Sequence, residues 1–196
     1  FDTADLSQNL INTTGFIDLG ETYLKNYKVA NGPQQAYSVG LFYKNPKNWW
    51  VNATGNYFSN GYLDISAITR TDGFFNNPND YGQPFRDIDF DLARKLLAQE
   101  KFDAYSIANL SAGKSWKFKK VNLKLVGSIH NLFDTTYKSG GYQQSRTANY
   151  SVLVADTENG ADQRNFGPKY WYGFGRTYFI NLALTFKKYK PYEDNN

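Results

Sequence analysis

The segment TYFINLALTF, residues 177–186, alternates between apolar and more polar side chains over its whole length. One side of an extended chain would carry Tyr178, Ile180, Leu182, Leu184 and Phe186. The other side would carry Phe179, Asn181, Ala183 and Thr185. A period of two is typical of a β-strand with one apolar face. The sequence therefore predicts a strand whose apolar face contacts either a protein core or lipid.

The composition is rich in aromatic residues and yet hydrophilic. Tyr, Phe and Trp make up 18% of the 196 residues, whereas the mean hydropathy is −0.62. No stretch approaches the roughly 20 apolar residues that a membrane helix needs, which excludes a helical membrane protein. A transmembrane β-barrel would have this composition because only every second strand residue faces lipid. A soluble β-sandwich with aromatic binding loops would have it as well.

The absence of Cys and Met and the small net charge limit the kinds of site and partner that the chain can have. The chain has no Cys, which excludes disulfide frameworks, thiolate metal sites and Cys nucleophiles. It has no Met and begins with FDTADLSQ, which lacks the pattern of a signal peptide, so we expect a piece of a larger protein or a processed product. The net charge is only +4 and the basic residues form no long run, so nucleic acid is not an expected partner.

Alternation predicts five long strands. They are expected over 36–44, 49–58, 104–118, 121–133 and 177–186. Strands that cross a bilayer obliquely need about 9–11 residues, whereas strands of soluble proteins are nearer to about 5–6. The predicted lengths therefore favour a membrane sheet.

The connections between these strands are alternately short and long. Tight turns are predicted at 45–48 and 119–120, and long loops at 59–103 and 134–176. Within the first long loop, DLARKLLAQE at 91–100 predicts a short helix. Short turns on one side and long loops on the other are typical of membrane barrels, whereas structureless loops this long are uncommon in compact soluble domains.

The placement of aromatic and polar residues also favours a membrane barrel. The two short turns are flanked by Trp49, Trp50, Trp116 and Phe118, where a periplasmic aromatic girdle is expected. The polar strand faces carry Asn52, Asn122, Lys124, His130 and Asn181. Each would cost about 1–3 kcal/mol if buried unpaired in a sandwich core, whereas a wet lumen solvates it. Membrane barrels begin at about eight strands, so five strands are expected to be part of one.

Two stretches near the end resemble a known family. HNLFDTTY, residues 130–137, is similar to the penultimate strand of TonB-dependent outer-membrane receptors, and FGRTYFINLALTF, residues 174–186, resembles their final strand. The segment at 33–58 is similar to an upstream hairpin of these receptors. One feature departs from the family: Phe186 is followed by ten residues, KKYKPYEDNN, where the final aromatic residue usually ends the chain.

The resemblance implies an all-β fold, the last five or so antiparallel transmembrane strands of a roughly 22-stranded barrel. It implies a Gram-negative outer membrane, active uptake of a siderophore, oligosaccharide or peptide, and no enzymatic activity. The implied partners are outer-membrane lipid, the N-terminal plug and remaining barrel of the same receptor, and the TonB complex. A surface lipoprotein, as in SusC-like relatives, is a further candidate partner.

This interpretation divides the chain into a barrel part and a tail. Residues 1–186 would be the C-terminal part of the barrel, and 187–196 a polar periplasmic tail. Residues 1–35, 59–103 and 134–176 would be extracellular loop regions. The alternative from a different class is a soluble, secreted β-sandwich that binds carbohydrate.

No catalytic, cofactor or metal site is predicted. Asp87, Asp89 and Asp91 have the spacing of the start of a calcium loop, but Leu92 stands where that loop needs Gly. A polar loop that caps a helix is the preferred interpretation of these residues. His130 is the only histidine, so a multi-histidine site or a Ser-His-Asp triad would need residues from elsewhere.

The second long loop supplies the candidate ligand-binding residues. Aromatic rings beside hydrogen-bonding groups suit sugars, peptides or siderophores. The candidates are Tyr142, Arg146, Arg164, Tyr170, Trp171 and Tyr172. The alternative is that these loops only pack on one another and form the extracellular rim.

Overall fold

The computed structural model describes residues 19–30, 32–144, 149–158 and 167–187. Arg146 and Arg164 lie outside these described residues, as do 1–18 of the predicted first loop and 188–196 of the predicted tail. The chain divides into two compact units, which are considered separately. The sheet unit comprises Pro33–Asn60, Asp103–Tyr137 and Tyr172–Asn196. The loop unit comprises Phe1–Gly32, Gly61–Phe102 and Lys138–Trp171.

The regular structure is mainly β. The strands are β1 Gln35–Asn45, β2 Trp49–Ser59, β3 Tyr105–Lys117, β4 Val121–His130, β5 Lys138–Tyr142, β6 Lys169–Tyr172 and β7 Thr177–Phe186. Five of them form one antiparallel sheet in the order β1-β2-β3-β4-β7, and β5 pairs with β6. The five strands predicted from alternation, and the all-β antiparallel class, are therefore confirmed.

Both predicted tight turns are present at one end of the sheet. In the first, the amide of Asn48 donates to the carbonyl of Asn45 at 3.1 Å, and Asn48 has a φ of 61°. Asn tolerates this left-handed conformation better than most residues. In the second, the amide of Phe118 donates to the carbonyl of Val121 at 2.8 Å. At the opposite end of the sheet β2 and β4 end, and β3 and β7 begin.

Strand β4 ends three residues before its predicted end at 133. Asn131 has a φ of 51°, which takes the chain out of the extended conformation. The amide of Leu132 still donates to the carbonyl of Ala108 at 2.7 Å, so the turn remains attached to β3. Phe133 is 73% exposed and lies beyond the end of the strand at His130, so it does not extend the apolar side of β4.

The loop unit has its own small core. It contains helices α1 Phe90–Leu96 and α2 Tyr150–Glu158, and short 3-10 helices at Ala67–Arg70 and Asp72–Phe75. Its buried centre consists of Phe74, Ala93 and Tyr150. Helix α1 confirms the predicted helix, although it ends at Leu96. Asp89 caps it as expected, since its side chain accepts from the amides of Asp91 and Leu92.

The two predicted long loops are more regular than expected. The second contains β5, α2 and β6, and the first contains the 3-10 helices beside α1. These elements are only four to nine residues long, too short for a periodic pattern to mark them. Among the described residues, no helix is long and apolar enough to cross a membrane.

Candidate functional site

One face of the five-stranded sheet is apolar across all its strands. The pairing aligns Leu41 with Ala53, Ala53 with Leu110, and Leu110 with Ile129. It also aligns Leu125 of β4 with Leu182 of β7. Because aligned residues in an antiparallel sheet project to the same side, the apolar sides of all five strands form one surface. We call this surface the apolar face.

The apolar face is not covered by any described residue. None of its side chains is fully buried, and those on the two outer strands are largely exposed. Leu41 is 76% exposed, Ile180 77% and Phe186 74%. Exposed contiguous apolar patches larger than a few hundred Å² are rare on soluble monomers and mark interaction surfaces.

Aromatic residues of the apolar face lie at its two ends. Tyr37, Tyr57 and Tyr178 lie toward the long connections. Tyr43, Trp49, Trp116 and Phe186 lie toward the short turns. Val, Leu, Ile, Ala and Gly occupy the middle. The charged member is Lys114, near the short turns, whose Nζ lies 5.4 Å from the centre of the Trp116 ring.

The opposite face of the sheet is more polar, although Phe42, Phe58 and Phe179 also project to it. Pairing aligns Asn122 with Thr185, Lys124 with Ala183, and His130 with Thr177. Asn52 and Asn181 project to this side too, as predicted. Of the aromatic residues beside the short turns, Trp50 also lies on this face.

Both outer edges of the sheet are long and nearly free of charge. Strand β7 is ten residues long and contains no charged side chain, and β1 is eleven residues long and contains only Lys44. Neither strand contains Pro. Natural proteins protect an exposed edge with charge, Pro, bulges or a covering element. Edges of this kind therefore favour pairing with further strands.

The HNLFDTTY motif fixes the start of β7 through a group that we call the Asn131 cluster, formed by Asn131, Asp134 and Tyr137. Asn131 is 3% exposed. Its Nδ2 donates to the carbonyls of Thr135 at 2.9 Å and Phe174 at 3.1 Å, and its Oδ1 accepts from the amide of Thr135 at 2.9 Å. One side chain therefore connects the turn after β4 to the segment that enters β7.

The other two members of the cluster hold the same segment. Asp134 Oδ1 accepts from the amide of Arg176 at 2.7 Å, one residue before β7. The ring of Tyr137 stacks on that of Tyr105, with centroids 4.1 Å apart. The amide of Gly173 donates to the carbonyl of Tyr137 at 3.0 Å. The motif thus has a structural role, because it holds the segment that enters β7.

Gly173→Ala is expected to destabilise the sheet unit by about 1–3 kcal/mol, the usual cost of overpacking. A Cβ at Gly173 would overlap the ring of Tyr137. Gly127→Ala is the matched control, because a Cβ at Gly127 would meet no atom within 4 Å. Urea unfolding of both variants measures the difference. Equal stability of the two variants would contradict the role of this contact.

Three of the predicted ligand residues belong to the paired strands β5 and β6 and have exposed rings. Tyr142 is 41% exposed and Trp171 58%, and their ring centroids lie 5.8 Å apart. A Cβ at Gly140 would lie 2.9 Å from the Trp171 ring, so glycine permits the indole to lie on the strand. Tyr172, at the end of β6, is 59% exposed. Exposed paired rings can stack on a planar or sugar-like solute.

Tyr170, the fourth described candidate, is held within the loop unit. Its hydroxyl donates to Glu100 Oε2 at 2.5 Å, and Lys138 Nζ lies 3.6 Å from its ring centre and 2.6 Å from Glu100 Oε1. Burial and the hydrogen bond to Glu100 raise the pKa of Tyr170. Burial lowers the pKa of Lys138, but the hydrogen bond and charge of Glu100 outweigh it and raise that pKa. Sequence reasoning missed Glu100 and Lys138, which are far apart in the chain.

Tyr170→Phe is expected to destabilise the loop unit by about 1.5–3 kcal/mol near neutral pH, the usual worth of a hydrogen bond to a charged group. The pKa of Tyr170 is raised in the folded protein. The contribution of its protonated hydroxyl to stability is therefore complete below the ordinary pKa of 10.0 and is lost as the pH rises through the raised pKa. The difference in stability between wild type and Tyr170→Phe should therefore be smaller at pH 11 than at pH 8. Tyr172→Phe is the control. A difference that does not change with pH would contradict this account.

Comparisons with protein families, with curated proteins and with solved structures return no match. Among the described residues, no group of three or more His, Cys, Asp and Glu side chains is arranged to hold a metal ion. The described residues present two exposed surfaces suited to interaction, the apolar face and the aromatic pair of Tyr142 and Trp171.

Proposed function

We propose that this chain is the C-terminal part of the barrel of a TonB-dependent outer-membrane receptor that takes up a nutrient. The observation that carries the proposal is the uncovered apolar face. Five strands present one continuous apolar surface on one side and a more polar surface on the other. This arrangement suits lipid outside and a wet or plugged lumen inside.

The dimensions of the apolar face support the proposal. Tyr178 and Phe186 are eight residues apart on β7. At about 3.3 Å per residue they are about 26 Å apart along the strand. A tilt of about 40° reduces this to about 20 Å along the membrane normal, close to the roughly 25 Å apolar band of outer-membrane barrels. Lys114, near one end, can reach the interface with its ammonium group.

The open edges support a larger barrel. In the proposal, β1 and β7 pair with further strands of the same receptor, which closes the sheet and removes both edges. The soluble sandwich is less well supported, because a second sheet would have to cover the apolar face and no described residue does so. The named family rests on the two motifs at 130–137 and 174–186.

In this proposal the long connections are extracellular and help to capture the solute. Tyr142 and Trp171 form an exposed aromatic pair suited to stacking. The proposed partners are outer-membrane lipid, the plug and remaining barrel, the TonB complex and, as in SusC-like relatives, a surface lipoprotein. No enzymatic step is proposed.

The proposal is tested by the denatured mass of the polypeptide in an outer-membrane fraction. We expect a membrane-integrated species several times heavier than 22.4 kDa that resists extraction with urea and carbonate. Nutrient uptake by cells that contain it should fall to background when TonB is deleted. A soluble species of 22.4 kDa would contradict this proposal and favour the soluble β-sandwich instead.

A further inference from the structure

The end of the sheet that carries the short turns is basic. Seven lysines lie there, and the side chain of each is exposed. They are Lys44, Lys47, Lys114, Lys117, Lys119, Lys120 and Lys187. Among the described residues of the sheet unit, the carboxylates are Asp103, before β3, and Asp134, after β4, and both lie at the opposite end. Positive charge is therefore concentrated at one end of this unit.

No described carboxylate forms an ion pair with these lysines. Both ion pairs among the described residues lie in the loop unit. Lys187 Nζ donates to the carbonyl of Phe118 at 3.1 Å, and Lys114 Nζ lies 5.4 Å from the centre of the Trp116 ring. These neutral groups hold two ammonium groups near the second short turn without balancing their charge. Residues 188–196 contain two lysines and two acidic residues, so they add no net side-chain charge.

Four of the lysines lie on the apolar face or in the short turns. Lys114 belongs to the apolar face, because it aligns with Trp49 of β2 and Leu125 of β4. The other three follow or precede the last paired residues of their hairpins and lie in the short turns. We call these four residues the lysine collar: Lys47, Lys114, Lys119 and Lys120.

The lysine collar adjoins an apolar surface, which limits the kind of partner that fits it. Trp49 and Trp116 lie beside Lys114 on the apolar face. The aliphatic part of a lysine side chain can lie along apolar surface while its ammonium group reaches a polar layer. An acidic protein would match the charge alone. An anionic phospholipid matches both parts, because its head group attracts clustered lysines and its acyl chains cover apolar surface.

We propose that the lysine collar binds the phosphate head groups of anionic phospholipids, in the membrane leaflet on the side of the short turns, with the acyl chains against the apolar face. A zwitterionic phospholipid has no net charge and gains less from the same lysines, so anionic phospholipid should be enriched at this end of the sheet. This role of the collar rests on the membrane location proposed above. It goes further by specifying the charge of the lipid and the place where it gathers.

Local enrichment is tested by fluorescence quenching on the full receptor in phosphatidylcholine vesicles that contain phosphatidylglycerol. A bimane label on Leu184→Cys reports on the short-turn end, because Leu184 is exposed and aligns with Leu123, which aligns with Trp116. A label on Tyr178→Cys, also exposed, reports on the opposite end. In paired preparations of identical composition, either the phosphatidylglycerol or an equal amount of phosphatidylcholine carries bromine. Both leaflets have the same composition, so the orientation of the receptor does not affect the result.

We expect brominated phosphatidylglycerol to quench the label at 184 about twofold more than brominated phosphatidylcholine does, and the two lipids to quench the label at 178 equally. In 1 M NaCl the preference at 184 should disappear, because charges are then screened beyond about 3 Å. It should also disappear in the collar variant, which combines Lys114→Gln, Lys119→Gln and Lys120→Gln.

The matched control removes three lysines from the other side of the same sheet. Their partners in the strand pairing, such as Trp50 for Lys44 and Asn122 for Lys117, belong to the more polar face. The control variant combines Lys44→Gln, Lys117→Gln and Lys124→Gln. It loses the same charge as the collar variant and should keep the preference at 184.

Four results in the inserted receptor would overturn the inference and leave the proposed membrane location intact. They are equal quenching by the two lipids at 184, the same preference at 178 as at 184, a preference that persists in the collar variant, and a preference lost equally in both variants. A receptor that inserts into neither kind of vesicle would contradict the proposed function and, with it, the role of the lysine collar.

Discussion

Leu182→Arg is expected to prevent stable insertion of the protein into the outer membrane. Leu182 lies at the centre of β7 on the apolar face, midway between Tyr178 and Phe186. In the proposed orientation the charge would lie near the middle of the bilayer, where arginine on a barrel surface costs about 2–4 kcal/mol. The measurement is the free energy of unfolding from lipid vesicles, together with the urea-resistant fraction in outer membranes.

The neighbouring residue supplies the matched control for this change. Asn181 belongs to the same strand but projects to the polar face, so Asn181→Arg adds the same charge on the side proposed to be wet. It should insert at close to the wild-type level. If both variants inserted equally well, or if Leu182→Arg stayed soluble and folded, the lipid-facing assignment would be wrong.

Asn131→Ala is expected to destabilise the sheet unit by about 2–4 kcal/mol. The change removes three partly buried side-chain hydrogen bonds, each of which contributes about 0.5–1.5 kcal/mol to stability. Ala also tolerates the φ of 51° less well than Asn. Because Asn131 connects the turn after β4 to the entry of β7, separation of β7 from β4 should become easier.

Hydrogen exchange of β7 amides and urea unfolding measure this loss. Asn181→Ala is the control, because Asn181 is an exposed residue of β7, and it should change stability by no more than about 0.5 kcal/mol. A loss of stability in Asn131→Ala no larger than in the control would show that the cluster does not hold β7.

The sheet could be predicted from the sequence because its strands and turns are specified by patterns of neighbouring residues. Alternation with a period of two located each strand to within a few residues, and turn residues such as Asn48 located the hairpins. The observed alignment of the strands keeps all apolar sides on one face. The end of β4 was misjudged because Phe133 fits the alternation, whereas the backbone already turns at Asn131.

The loop unit could not be predicted because its contacts join distant parts of the chain. Glu100, Lys138 and Tyr170 meet across up to 70 residues, and Arg70 reaches Gln143 across 73. No spacing rule marks such pairs before the chain is folded. Aromatic richness led to the prediction of Tyr142 and Trp171, which lie as an exposed pair, and of Tyr170, whose hydroxyl is held by Glu100.

The most direct test of the central claim is a spin-label scan of β7 in the membrane-inserted protein. Because the chain contains no Cys, single cysteines can be placed at each position from 178 to 186 and labelled without removing others from this chain. We expect accessibility to oxygen, which concentrates in lipid, to alternate with a period of two and to peak at 178, 180, 182, 184 and 186. If those positions were instead shielded from oxygen, the apolar face would be packed in a protein core, and the membrane account would be wrong.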